Sequence, residues 1–134
     1  MPYAIGVGLA LAVCLFATLV GLDRDRAFYP TVTIVIASYY ALFAVMGGST
    51  RALGLESAVI LLFLAASVLG FKLNLWFVVG ALSGHGFLDF IHAGLIANPG
   101  VPVWWPPFCL ACDVTMGGYL AVLLSRSMVS AGNR

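Results

Sequence analysis

The sequence predicts an all-α integral membrane protein, a compact bundle of about five transmembrane helices. Three observations lead there. The chain of 134 residues is 63% hydrophobic and only 8% charged, whereas soluble domains carry about a quarter charged residues. Mean hydropathy is +1.10, and the apolar residues gather in runs of roughly 20, the length that crosses a hydrocarbon core. No run alternates polar and apolar at period two, which argues against a β-barrel. The whole of 1–134 reads as a single transmembrane domain, with no length left for a second one.

The first helix is expected over about residues 2–22. It lacks the basic flank of a signal peptide and its apolar run is long enough to span. It stops at "DRDR", read as a solvated turn. The second is expected over 30–47, with Pro30 in its first turn, where a missing N–H is harmless. "GGSTR" separates it from the third, 52–71, and Lys72 and Asn74 mark a tight turn. The fourth, 73–97, stops at "NPG", because a residue before proline is driven away from helical backbone. The fifth, 107–125, follows "WWPP" and ends at Arg126.

Five crossings place Arg24, Arg26, Lys72, Arg126 and Arg134 on one side and Arg51 alone on the other. Basic loops stay cytoplasmic, so the amino terminus is expected outside and the carboxyl terminus inside, in a bacterial-type inner membrane. The "NPGVPVWWPP" loop then lies outside as a rim or lid, with Trp104 and Trp105 at headgroup level. A net charge of +1 leaves no footprint for nucleic acid. The lipid bilayer is the obligatory partner.

The informative residues are the ones that hydrocarbon does not tolerate. Glu56, Asp89 and Asp113 lie inside apolar segments, as do both histidines, His85 and His92. A charge at the bilayer centre costs about 2.5–3.5 kcal/mol on insertion scales, so such groups face the bundle interior and find partners. Counted from the outer helix ends, Glu56 lies roughly 6 Å deep, His92 roughly 8 Å and Asp113 roughly 9 Å. Tyr39 and Tyr40 come to roughly 11 Å, Asp89 to roughly 12 Å and His85 to roughly 18 Å. Four helices thus bring polar groups to one layer of the outer half. On the fourth helix, His85, Asp89 and His92 share an arc of about 60°. Gly80 and Gly84 form a small-xxx-small pair expected to admit a neighbouring helix, and Gly86 removes a further side chain beside His85.

Three chemistries fit these residues. The first is a divalent metal, zinc or iron, held by Asp89 and His92 with Asp113 or Glu56. His85 is a more remote candidate ligand, too far along the helix to share an ion with His92. The second uses Asp89 and His92 as a metal-free acid–base or proton-passing pair. The third is structural, with the polar groups satisfying one another between helices. Cys109 and Cys112 have the CxxC spacing but read as small apolar residues. The combined expectation is an outward-facing polar pocket that binds or acts on a lipid-like or small amphiphilic molecule, with Tyr39, Tyr40, Glu56, Trp104 and Trp105 as binding residues. Two other functions fit the same composition: an accessory subunit whose glycine-rich faces pack on a membrane partner or a second copy, and a small oligomeric transporter.

Overall fold

The computed structural model describes residues 1–132, so Arg134 lies outside the described residues. The described chain folds into five α-helices and no strand: α1 Pro2–Val20, α2 Phe28–Met46, α3 Thr50–Lys72, α4 Trp76–Leu95 and α5 Trp105–Ser125. Local chemistry sets most of these ends. Gly21 closes α1 in the left-handed region at φ 87°, which a residue without Cβ adopts freely. Ser49 precedes α3, and its hydroxyl accepts from the Ala52 amide at 3.1 Å, satisfying one orphan donor of the first turn. Ile96, at the end of α4, is extended ahead of Asn98 and Pro99. The fifth helix begins at Trp105, two residues before the expected Pro107, because Pro106 and Pro107 suit a first turn that needs no N–H donors.

Four helices, α1, α2, α3 and α5, are long and apolar enough to cross a membrane. The exception is α4, whose inward stripe of Val78, Ala81, Leu82, His85, Gly86, Asp89 and His92 is in part polar. Its 20 residues still make a rod about 30 Å long, and its outer face carries exposed Phe77, Phe87 and Phe90. Phenylalanines on that face suit contact with hydrocarbon.

The helices pack in the order α1, α5, α4, α3, α2, with a lighter contact between α2 and α4. Ala10, Cys14, Leu82, Met116 and Leu120 form the main apolar core of α1, α4 and α5. Ala37, Phe63 and Ala81 form a smaller one among α2, α3 and α4. The tightest α4–α5 approach is made by glycines, but not by the expected pair. A Cβ on Gly86 would sit 3.2 Å from the Leu110 carbonyl oxygen and 3.3 Å from the Asp113 Cβ. One on Gly117 would sit 3.0 Å from the Ser83 hydroxyl. Around Gly80 and Gly84 it would meet nothing within 4 Å. The expected small-xxx-small pair is exposed, off the buried stripe of α4, and Gly86 on that stripe provides the inward notch.

One end of the bundle collects the α1–α2 turn, the α3–α4 turn and the carboxyl-terminal segment. The "DRDR" turn there is solvated at Arg24 and Asp25, which are exposed, and docked at Asp23 and Arg26. Asp23 is buried and accepts from the Thr18 hydroxyl at 2.7 Å. Arg26, at φ 70°, donates to the Phe71 carbonyl at 3.0 Å, where a cation meets the free carbonyls ending a helix. The Leu75 amide donates to the Ala131 carbonyl at 2.8 Å. At the opposite, tryptophan-bearing end, Gly100 of the α4–α5 loop lies against the Phe43 carbonyl, with no room for a Cβ.

Gly86→Val is expected to destabilise the bundle by about 1–3 kcal/mol through overpacking. Gly84→Val is expected to stay within about 0.5 kcal/mol of the parent. Thermal unfolding in detergent micelles measures both, and equal losses would show that the helices do not close at Gly86.

Candidate functional site

The sequence puts five ionisable groups between the helices, and the fold divides them into two clusters joined by a tyrosine. The inner cluster is formed by α4 and α5. His85 Nδ1 donates to Asp113 Oδ2 at 2.7 Å, since an ionised carboxylate can only accept. The same nitrogen lies 3.4 Å from Asp89 Oδ2, one helical turn along α4. The Tyr40 hydroxyl, from α2, donates to Asp89 Oδ1 at 2.5 Å. All four side chains are buried, and Phe63 sets its ring edge against the His85 imidazole at 4.8 Å between centroids.

The outer cluster lies toward the tryptophan end. His92 Nε2 donates to Glu56 Oε1 at 2.8 Å, so α4 is tied to α3. Asn98 Nδ2 donates to the same oxygen at 2.9 Å and to the Tyr40 carbonyl at 3.0 Å. The Tyr40 ring stacks on the His92 ring with centroids 4.1 Å apart. Tyr40 therefore touches both clusters, by its hydroxyl on one side and its face on the other.

This pairing differs from the single layer that depth along the helices suggested. His92 goes to Glu56, and His85 goes to Asp89 and Asp113. The reason lies in the helix ends. Starting α5 at Trp105 moves Asp113 to roughly 12 Å from that end, and ending α4 at Leu95 moves His85 to roughly 15 Å. A separation of roughly 9 Å by the earlier count becomes roughly 3 Å. One nitrogen or oxygen from each of His85, Asp89 and Asp113 can be chosen so that all lie within 4.8 Å of one another. These three could hold a metal together. His92 and Glu56 stand apart from them.

Two carboxylate oxygens of the inner cluster, Asp89 Oδ2 and Asp113 Oδ1, are buried without a hydrogen-bond partner. Native interiors rarely leave such atoms alone. The inner cluster also adjoins a groove of about 650 Å³ between α1, α2 and α5, whose walls include Val13, Val32, Ile36, Phe108, Met116 and Asp113. Tyr39 and Trp105 border it at the tryptophan end, with ring centroids 5.1 Å apart. Trp105 belongs to α5 and packs on Phe43 at 4.8 Å, while Trp104 is half exposed. Cys109 and Cys112 are free, buried thiols along the same groove.

Two features escaped the sequence reading. Asn98 looked only like part of a helix stop, although an amide beside a helix end is well placed to cap a buried acid. The groove left no trace at all, because its lining uses the same apolar residues as the core.

Tyr40→Phe removes a hydrogen bond to a charged group, and a loss of about 1.5–3 kcal/mol is expected. The loss should be strongly non-additive with Asp89→Asn and additive with Asp23→Asn, which is remote from it. Double-mutant cycles on unfolding free energy check this; additivity at the first pair would remove the Tyr40–Asp89 contact.

Comparison of the chain with family models, with curated proteins and with solved structures finds no match.

Proposed function

We propose that the protein binds a lipid-like or small amphiphilic molecule within the membrane. The apolar part occupies the groove between α1, α2 and α5, and the polar part meets the His85–Asp89–Asp113 cluster. The observation that carries this reading is the presence of buried Asp113 in the wall of a groove of about 650 Å³ whose lining is mostly apolar, with Asp25 and Thr31 as its other polar residues toward the α1–α2 turn. That volume lies in the range of small-molecule sites, which pair an apolar lining with a few convergent polar groups. A buried imidazole flanked by two carboxylates can accept or deliver a proton at the molecule's polar end. Tyr40, which does not line the groove, holds Asp89 by its hydrogen bond.

A second reading is favoured by one observation. Gly80 and Gly84 leave a bare strip on the outer face of α4, where an added Cβ would meet nothing within 4 Å. Such a strip suits close packing of a helix from a partner or from a second copy, as an accessory subunit would need.

In either case the basic residues favour one orientation. Arg24, Arg26, Lys72 and Arg126 belong to the end opposite the Arg51 turn, so the amino terminus is expected outside an inner membrane of bacterial type and the carboxyl terminus in the cytoplasm. Reporter fusions after Gly48 and at the carboxyl terminus should report opposite sides. Signals from the same side would overturn that orientation.

Ile36→Trp fills the groove without touching the ionisable groups. Native mass spectrometry of protein extracted in mild detergent should find about one retained lipid or amphiphile on the parent and at least tenfold less on the variant. Equal retention would place the bound molecule elsewhere.

A further inference from the structure

The inner cluster carries more negative charge than its surroundings balance. With a neutral imidazole its formal charge is −2, and with an imidazolium −1. The described cations stand elsewhere: Arg24, Arg26, Lys72 and Arg126 at one end of the bundle and Arg51 at the other. Burying a carboxylate costs several kcal/mol unless a partner of opposite charge or good hydrogen bonds replace water. Tyr40 supplies one such bond to Asp89, and His85 supplies one to Asp113. Asp89 Oδ2 and Asp113 Oδ1 receive none. Asp89 Oδ2 is directed at the same imidazole nitrogen that Asp113 Oδ2 approaches. A single added proton would sit on one oxygen, whereas two oxygens are without partners. A divalent ion can engage both carboxylates together and bring the charge to zero.

We propose that His85 Nδ1 and the carboxylates of Asp89 and Asp113 bind one divalent first-row transition ion of the zinc, iron or manganese kind. An imidazole nitrogen with two carboxylates is a borderline donor set that suits these ions. Binding needs Nδ1 bare, its proton moving to Nε2 in a neutral ring or leaving to water from an imidazolium. Protons compete with the ion for the imidazole and the carboxylates, so occupancy falls as the medium becomes acidic. Tyr40 acts one step out: by donating to Asp89 Oδ1 it leaves Oδ2 for the ion and fixes the carboxylate's orientation. His92 and Glu56 are engaged with each other and with Asn98, and they take no part. The ion site stands independently of what occupies the groove.

The test uses full-length, untagged protein from cells grown with added zinc, iron and manganese, purified without chelators. Inductively coupled plasma mass spectrometry should find about one such ion per chain. His85→Gln and Asp113→Asn should each lower occupancy at least tenfold. Tyr40→Phe should weaken binding by about tenfold, the usual effect of losing an outer-shell partner. His92→Gln and Glu56→Gln should keep the ion. Cobalt(II) added to chelator-stripped protein is a second readout, because its visible bands report nitrogen and oxygen ligation and should vanish in His85→Gln. That titration on the parent also serves if the Asp113 variant fails to fold. Metal-free, folded parent protein that gives no cobalt bands overturns the proposal, and retention of the ion by His85→Gln does the same. Ile36→Trp should retain the ion while losing bound amphiphile, which separates failure of this site from failure of the groove.

Discussion

The rest of the bundle is arranged around one constraint: Asp113, fully enclosed on α5, must find a partner for Oδ2 without water. Its partner is His85, and the 2.7 Å contact exists only because α4 and α5 approach closely at Gly86 and Gly117. Any larger residue at Gly86 would push the carboxylate away from the imidazole. The pair in turn sets the rotation of α4, which directs Asp89 at Tyr40 of α2 and His92 at Glu56 of α3. One polar contact thus fixes the angular position of the helix that touches three others. In hydrocarbon, where apolar packing does not favour one helix rotation strongly over another, polar contacts of this kind supply much of the specificity.

The fold was largely legible in the sequence, since length and hydropathy alone delimit helices that must cross about 30 Å of hydrocarbon. Each helix could be located to within a turn. The inward face of α4 was legible too, from the spacing of His85, Asp89 and His92. The assignment of partners was not. It depends on whether α5 starts at Trp105 or Pro107, a shift that moves Asp113 by roughly 3 Å, and on which glycine forms the notch. Gly80 and Gly84 carry the familiar spacing, but only backbone geometry shows that Gly86 faces α5. Asp23 illustrates the same limit at the surface. Alternating charges suggested a turn in water, yet Thr18 lies one turn before it and draws its carboxylate inward.

The two clusters differ in what they leave open. In the outer one, Glu56 Oε1 accepts from both His92 and Asn98, and the amide also ties the loop to the backbone of α2. Stacking of Tyr40 on His92 completes a set that binds three helices and a loop together. The inner cluster keeps two oxygens unsatisfied and lies against a groove. Structural glue accounts well for the first cluster and poorly for the second. The division is therefore chemical as well as spatial: one set is closed upon itself, and the other has capacity to spare.

The packing order carries a consequence for biosynthesis. Gly6 sets α1 against Phe108 and Cys112 of α5, whereas α2 turns to α3. During translation, when chains assemble from the amino terminus onward, α2 and α3 can pair as soon as both have left the ribosome. The α1 helix must wait for α5. Until α5 emerges, the small-residue face of Gly6, Ala10 and Cys14 is bare to lipid, or to whatever insertion factor shelters it. The Leu75 amide likewise waits for the carbonyl of Ala131, so the α3–α4 turn is closed only after the segment beyond α5 has emerged. A chain stalled before Ala131 would carry all five helices and lack the stitch that joins the segment after α5 to the α3–α4 turn.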